Sequence, residues 1–245
     1  MKKHIPNFIT CLNLLCGCIG IGFLLESNHD PNNISMAAYF IGAAAVFDFL
    51  DGMAARLLNV KSEFGKQLDS LADVVSFGVL PGMILFNLLE TGFVNMTGVF
   101  SYLSYIAFLI PICSALRLAK FNIDTKQTES FIGLPTPANA IFFASIPLIL
   151  LNPSDVLPIV SKLMGSPYVL IVMIVVFSFL LVSPLPLFSM KFKNFSWSKN
   201  SMQYILIGSS VILIIFLHYI AIPSIIILYI LLSIIKTPNK NEIPG

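Results

Sequence analysis

The sequence predicts an all-α, polytopic membrane bundle of about eight spans, within a range of six to eight, and three observations carry that reading. Hydrophobic residues make up 57% of the 245 positions and charged residues only 11%, against about 25% charged in a typical soluble domain. Mean hydropathy is +0.90. The apolar residues also gather into blocks near the roughly 20 residues that a helix needs to cross a bilayer. They do not alternate with polar ones, as the strands of a membrane barrel would.

The first block, residues 8–25, follows Lys2 and Lys3 and so imitates a signal peptide. No small-x-small cleavage site follows it. Asn7, Thr10 and Asn13, three residues apart, fall on one helical face, so the block reads as a retained first helix. Further spans are expected at residues 35–58, 67–89, 99–119, 137–151, 168–183, 204–219 and 223–235. Lys2 and Lys3, Arg56, Lys61 and Lys66, Arg117, Lys120 and Lys126, Lys191, Lys193 and Lys199, and finally Lys236 and Lys240 then share one side. The positive-inside rule makes that side cytoplasmic. The other side keeps Lys162 alone. Trp197, in a basic loop, reads as an interfacial anchor.

Net charge is +2, which gives no basic face for nucleic acid. Cys11, Cys16, Cys18 and Cys113 all lie inside apolar blocks, a setting for reduced packing residues rather than a disulfide framework or a zinc site. His4, His29 and His218 do not cluster in the sequence.

Ionisable groups inside membrane spans are functional candidates by default. Asp48 and Asp51 stand three apart on the second span, and Asp69 and Asp73 stand four apart on the third. Each pair shares a helix face. The connection over residues 59–66 is short, so the two helices are expected to be antiparallel neighbours with four carboxylates converging near the cytoplasmic boundary. Four anions cannot stay ionised together in a poorly hydrated site without positive charge, and Arg56 supplies one. One or two divalent cations resolve the conflict, Mg²⁺ or Mn²⁺ suiting an all-oxygen catalytic site better than Ca²⁺. Gly52, Ala54, Ala55 and Gly65 leave room for a phosphate or a second helix. The alternatives from the residues alone are a structural charge cluster between helices and a divalent-cation transport path.

Residues 48–73 read D-F-L-D-G-M-A-A-R-L-L-N-V-K-S-E-F-G-K-Q-L-D-S-L-A-D. This resembles the CDP-alcohol phosphotransferase signature, D-x-x-D-G-x-x-A-R-x8-G-x3-D-x3-D, at each defined position. The resemblance implies a six-helix core, displacement of CMP from a CDP-linked lipid by an alcohol hydroxyl, and a metal site opening to the cytoplasm. It makes Asp48, Asp51, Asp69 and Asp73 metal ligands for Mg²⁺ or Mn²⁺, two ions in all, and Asp73 the base for the attacking hydroxyl. It makes Gly52, Ala55 and Gly65 the small residues beside the CDP group and Arg56 a diphosphate partner. Asn7 and Thr10, in an early P-N-x-x-T-x-x-N pattern, are similar to the family's first helix near the nucleotide. A homodimer and contact with membrane lipids are also implied.

Residues 113–122 (C-S-A-L-R-L-A-K-F-N), 131–140 (F-I-G-L-P-T-P-A-N-A) and 183–191 (S-P-L-P-L-F-S-M-K) resemble the branch of this family that joins CDP-diacylglycerol to L-serine. On that reading residues 1–193 form the catalytic core, 194–236 two C-terminal membrane helices and 237–245 a polar tail. Serine is a zwitterion whose carboxylate needs a cation. Arg117 and Lys120, at the cytoplasmic end of the fourth span, are the candidates, with Arg able to grip a carboxylate bidentately. Snorkelling to lipid phosphates is the other reading of both. Gly133, Pro135 and Pro137 mark a break or turn before the fifth span. Sister enzymes using glycerol 3-phosphate or inositol share the core motif, so the motif itself does not name the acceptor.

Overall fold

A computed structural model describes residues 4–26, 29–60, 62–94, 98–123, 131–153, 157–188 and 197–235. Its helices are α1 (His4–Leu25), α2 (Pro31–Leu57), α3 (Glu63–Asp73), α4 (Leu80–Gly92), α5 (Leu109–Ile123), α6 (Thr136–Leu151), α7 (Pro158–Met164), α8 (Pro167–Val182), α9 (Trp197–Leu217) and α10 (Ala221–Ile235). A π-helical stretch, Val74–Val79, joins α3 to α4, and a 3-10 stretch, Gly98–Phe108, leads into α5.

Each expected span has a helix in order. Among the described residues five helices are long and apolar enough to cross a membrane, and the pair α7 and α8, bent by 68°, makes a sixth. One of the five is the 36-residue run Asn200–Ile235, about 54 Å long if straight at 1.5 Å per residue. It folds back instead at His218, whose φ is +46°. Ser209 and Leu213 of α9 therefore line the same cavity as Ser224 and Leu231 of α10. The fifth span, α6, is shorter, at 16 residues. Large side chains such as Phe8, Phe49, Phe179 and Phe216 point out of the bundle, which is the surface of an integral membrane protein facing lipid rather than water.

Helix α1 packs through one seam. Its buried residues include Pro6, Thr10, Asn13, Gly17, Gly20 and Leu24, spaced alternately four and three apart, the spacing that keeps one stripe on a neighbouring helix. Two of them are small for a visible reason. A Cβ at Gly17 would lie 2.5 Å from Ser76 Oγ, and one at Gly20 would lie 2.6 Å from Leu80 Cδ2. Without a driving hydrophobic effect in lipid, such small residues let helices approach closely. The apolar core behind the seam joins Ile41 and Ala44 of α2 to Phe77, Leu80, Ala140 and Ala144. A second core unites α4, α5, α6, α8 and α10 around Phe142, Phe143 and Phe177, with Phe142 and Phe177 stacked at 4.0 Å.

The turn before α6 is fixed by three elements. Phe131 pairs with Leu187 and Ile132 with Pro186 in a short antiparallel bridge. Gly133 adopts φ +74°, and a Cβ there would meet the Leu181 carbonyl at 2.6 Å, so glycine is required twice over. Arg117 donates from Nη2 to the Gly133 carbonyl at 3.2 Å. At the same end Lys66 Nζ donates to the Asn122 carbonyl at 2.8 Å. The starts of α3 and α6 therefore share one membrane face with the ends of α5 and α8, the face on which the positive residues were expected. Lys2, Lys3, Lys61, Lys126, Lys191, Lys193, Lys236, Lys240 and the tail 237–245 lie outside the described residues, as do the side chains of Trp197 and Lys199.

Orientation has a direct test. In a background lacking the native cysteines, Asn59→Cys should react with a membrane-impermeant maleimide only from the cytoplasm, and Asn152→Cys only from the other face. Labelling of Asn59→Cys from outside would invert the topology.

Candidate active site

The site is built by three helices and one short loop. Helix α2 ends at Leu57, and the chain turns through Asn59 at φ +51°, a conformation that asparagine tolerates better than most residues. Ser62 then caps α3, its Oγ accepting from the Gly65 N–H at 3.0 Å, which satisfies one of the orphan donors of a helix start. The loop brings Asp48 and Asp51 beside Asp69, whose carboxylates lie within 4.8 Å of one another. Asp73 is one turn further into the membrane, 7% exposed and near enough for its charge to act on Asp48 and Asp69.

Helix α1 holds two of the four acids. The Thr10 hydroxyl is 2.7 Å from Asp51 Oδ2 and 3.0 Å from the Pro6 carbonyl. It has one proton, and the shorter contact is to the charged acceptor, the stronger of the two. Asn13 Nδ2 donates to Asp73 Oδ1 at 3.2 Å, and the Asn13 carbonyl accepts from Ser76 Oγ at 3.0 Å. The second contact needs the glycine at position 17, because any side chain there would displace Ser76.

The electrostatics are severe. Two carboxylates 4.8 Å apart repel by about 3 kcal/mol at an effective dielectric of about 20. Among the described residues no lysine or arginine forms an ion pair with any of the four aspartates. Asp69 Oδ1 is buried with no hydrogen-bond partner from the protein. Converging oxygen ligands, uncompensated charge and an unsatisfied carboxylate oxygen fit a hard divalent cation.

A cavity of about 730 Å³ opens beside the acids, with Asp51 and Asp69 on its wall. Asn7, Thr10, Gly52, Ala55 and Gly65 line it too. A Cβ at Gly52 would meet no atom within 4 Å, so that glycine faces open space, whereas one at Gly65 would press on Asn7 Oδ1 and Ser62 Oγ at 3.0 Å. The two glycines thus serve different ends, one keeping the cavity wall low and the other letting α1 lie against α3.

The three cations expected around the substrates stand elsewhere. Arg56 is exposed and off the cavity wall. Arg117 is buried, 9% exposed, with its guanidinium on the Gly133 carbonyl. Lys120 is exposed at the end of α5. Among the lining residues without an assigned role are three polar ones before Asp69: Ser62, Glu63 and Lys66. Their signal in the sequence was position, since all three fall within seven residues before Asp69. Asn13 likewise belonged to a noticed pattern, but its partner, Asp73, lies 60 residues away.

Comparison with known proteins places the sequence in a family. The family model described as CDP-alcohol phosphatidyltransferase matches residues 3–182. A CDP-diacylglycerol–serine O-phosphatidyltransferase of Bacillus subtilis (strain 168) is 40% identical over 151 residues, covering 61% of this chain and 76% of the relative. Proteins of the same name from Mycobacterium leprae (strain TN) and Methanocaldococcus jannaschii are 39% and 38% identical. Each alignment covers 56% of this chain, with 44% and 57% of the respective relatives; the chain thus spans about half the length of these two. The matched region contains the whole acidic constellation and the helix that orients it, and the chain belongs to the CDP-alcohol phosphatidyltransferase family.

Proposed function

We propose that this integral membrane protein transfers the phosphatidyl group of CDP-diacylglycerol to the hydroxyl of L-serine, giving phosphatidylserine and CMP, at a site facing the cytoplasm of a bacterial cell. The convergence of Asp48, Asp51 and Asp69 on a cavity walled by Gly52, Ala55 and Gly65 supports the chemistry. The acceptor rests on relatives named for serine, at 36% to 40% identity. The family resemblance also supports a homodimer.

In this reading Asp48, Asp51, Asp69 and Asp73 would hold Mg²⁺ or Mn²⁺, two ions in all. Bound there, the metal supplies the positive charge that offsets the donor diphosphate and the departing CMP. Everything else falls to the chain itself. Thr10 holds one oxygen of Asp51 and so fixes the direction of that carboxylate. Asn13 occupies Oδ1 of Asp73, which leaves Oδ2 to take a proton. The serine hydroxyl gives that proton to Asp73 while its oxygen attacks the phosphorus nearest the diacylglycerol. The bond from that phosphorus to the bridging oxygen breaks, and CMP leaves with the electron pair. A base matters because an alcohol is hardly ionised near neutral pH. Among the described residues no cysteine or histidine lines the cavity, which favours direct displacement over a covalent intermediate on either.

Two outcomes are expected. Asp69→Asn should leave the protein in the membrane but lower divalent-dependent turnover by at least the roughly 10- to 100-fold seen when partners of metal ligands are lost; near-normal turnover at saturating Mg²⁺ and Mn²⁺ would remove Asp69 from the site. The wild-type protein should release CMP from CDP-diacylglycerol with L-serine and not with glycerol 3-phosphate or inositol. CMP release with either of the latter alone would reassign the acceptor, and cation flux without any CMP release would replace the enzyme with a transporter.

A further inference from the structure

Asn139, near the start of α6, is 0% exposed, and neither its Nδ2 nor its Oδ1 meets a hydrogen-bond partner among the described residues. A buried amide left unpaired at both ends is costly and points to a ligand. Helical side chains lean toward the N-terminus of their own helix, so this amide lies over the first turn of α6. That turn is open too. Its N-cap, Pro135, makes no side-chain hydrogen bond, and the Thr136 and Ala138 N–H groups find no acceptor among the described residues. Arg117, on the Gly133 carbonyl, fixes the turn that aims this end. The same end lies level with Asp73. Phe77 of the π stretch and Leu80 and Ile84 of α4 share a core with Ala140, Ala144 and Leu148 of α6, and α3 and α6 start from one membrane face. One turn back toward that face from Phe77 and Ala140 come Asp73 and Thr136, on elements that pack together.

We propose that the first turn of α6 holds the carboxylate of the acceptor, with Asn139 as the residue that selects an amino acid. The proposal rests on the serine reading above and deepens it. The uncapped N–H groups and Asn139 Nδ2 donate to the carboxylate, as helix N-termini do for anions generally. Asn139 Oδ1 accepts from the ammonium, so one amide meets both charges of the zwitterion. The hydroxymethyl group then faces Asp73 across the about 8 to 10 Å that separates the axes of packed helices. The donor meanwhile keeps the cavity lined by α1, α2 and α3. The two substrates thus reach the acids from different sides, as an attacking and a leaving oxygen in line with the phosphorus require.

The test is steady-state CMP release by the full chain, with L-serine, ethanolamine and CDP-diacylglycerol varied in turn. Asn139→Leu should raise the KM for serine roughly tenfold or more, the loss of one hydrogen bond to a charged group, and leave the KM for CDP-diacylglycerol unchanged. Ethanolamine has the hydroxyl and the ammonium but no carboxylate, so Asn139→Asp should lower kcat/KM for serine and raise it for ethanolamine. Thermal unfolding of the purified protein separates binding from packing. Without serine, Asn139→Leu should melt no lower than wild type, because an apolar side chain of similar size replaces an unpaired amide; it should also lose the upward shift that serine gives wild type. An unchanged serine KM in Asn139→Leu would overturn the proposal. So would a lower melting temperature with equal rises in both KM values, which would assign Asn139 to packing. The serine reading fails separately: wild-type protein that ignores serine removes it and this site with it, whereas active wild type with unmoved variants removes only the Asn139 assignment.

Discussion

Mutual repulsion among carboxylates at the edge of a membrane is the constraint on which the rest of this structure depends. Asp48, Asp51 and Asp69 converge within 4.8 Å, with Asp73 behind them, and no described basic side chain pairs with them. Such a cluster stays fully ionised only if the scaffold holds it and positive charge offsets it. The scaffold is helix α1. Its seam of Thr10, Asn13, Gly17 and Gly20 puts two hydrogen-bond donors on two of the acids and removes the side-chain bulk that would keep α1 away. Only with glycine at position 17 does Ser76 reach the Asn13 carbonyl, so the orientation of Asp73 depends on an atom count one turn further into the membrane.

The π-helical stretch Val74–Val79 lies directly after Asp73. A wider turn at this point rotates α4 about the axis it would have had as a plain α-helical continuation of α3, and π-helical turns are frequent at functional sites. Here it directs Ser76 toward α1 and Gly78 toward Ser114 and Pro111 on α5. One helix thereby serves the acids through α3 and the second apolar core through α4. The far side of the bundle answers with the turn at Gly133, where Arg117, the Leu181 carbonyl and the short bridge to Pro186–Leu187 meet.

Much of this was legible in the sequence. The spans showed because apolar blocks leave few other possibilities, and the aspartates showed because their three- and four-residue spacings fix a helical face whatever the surroundings. Local geometry was not legible: a π stretch, a 3-10 entry to α5 and a reversal at His218 arise from packing that periodicity does not record. The surroundings of the cations were less legible. A sequence shows that Arg117 is charged and near a membrane face; it does not show that its guanidinium donates to the backbone carbonyl of a positive-φ glycine 16 residues on. Lys66 looked like one more topological charge until α2, α3 and α1 closed a cavity around it. The 131–140 and 183–191 segments resembled known ones separately, and only the fold shows them pairing at Phe131 and Leu187.

The central claim is that these acids hold a metal which in turn meets the donor's phosphates. Electron paramagnetic resonance of Mn²⁺ added to the purified protein in lipid nanodiscs tests it most directly. The account predicts bound Mn²⁺ in wild-type protein and, once CDP-diacylglycerol is added, hyperfine coupling of that ion to ³¹P nuclei of the diphosphate. Mn²⁺ that stays free, or bound Mn²⁺ with no phosphorus coupling in the presence of the donor, would contradict it.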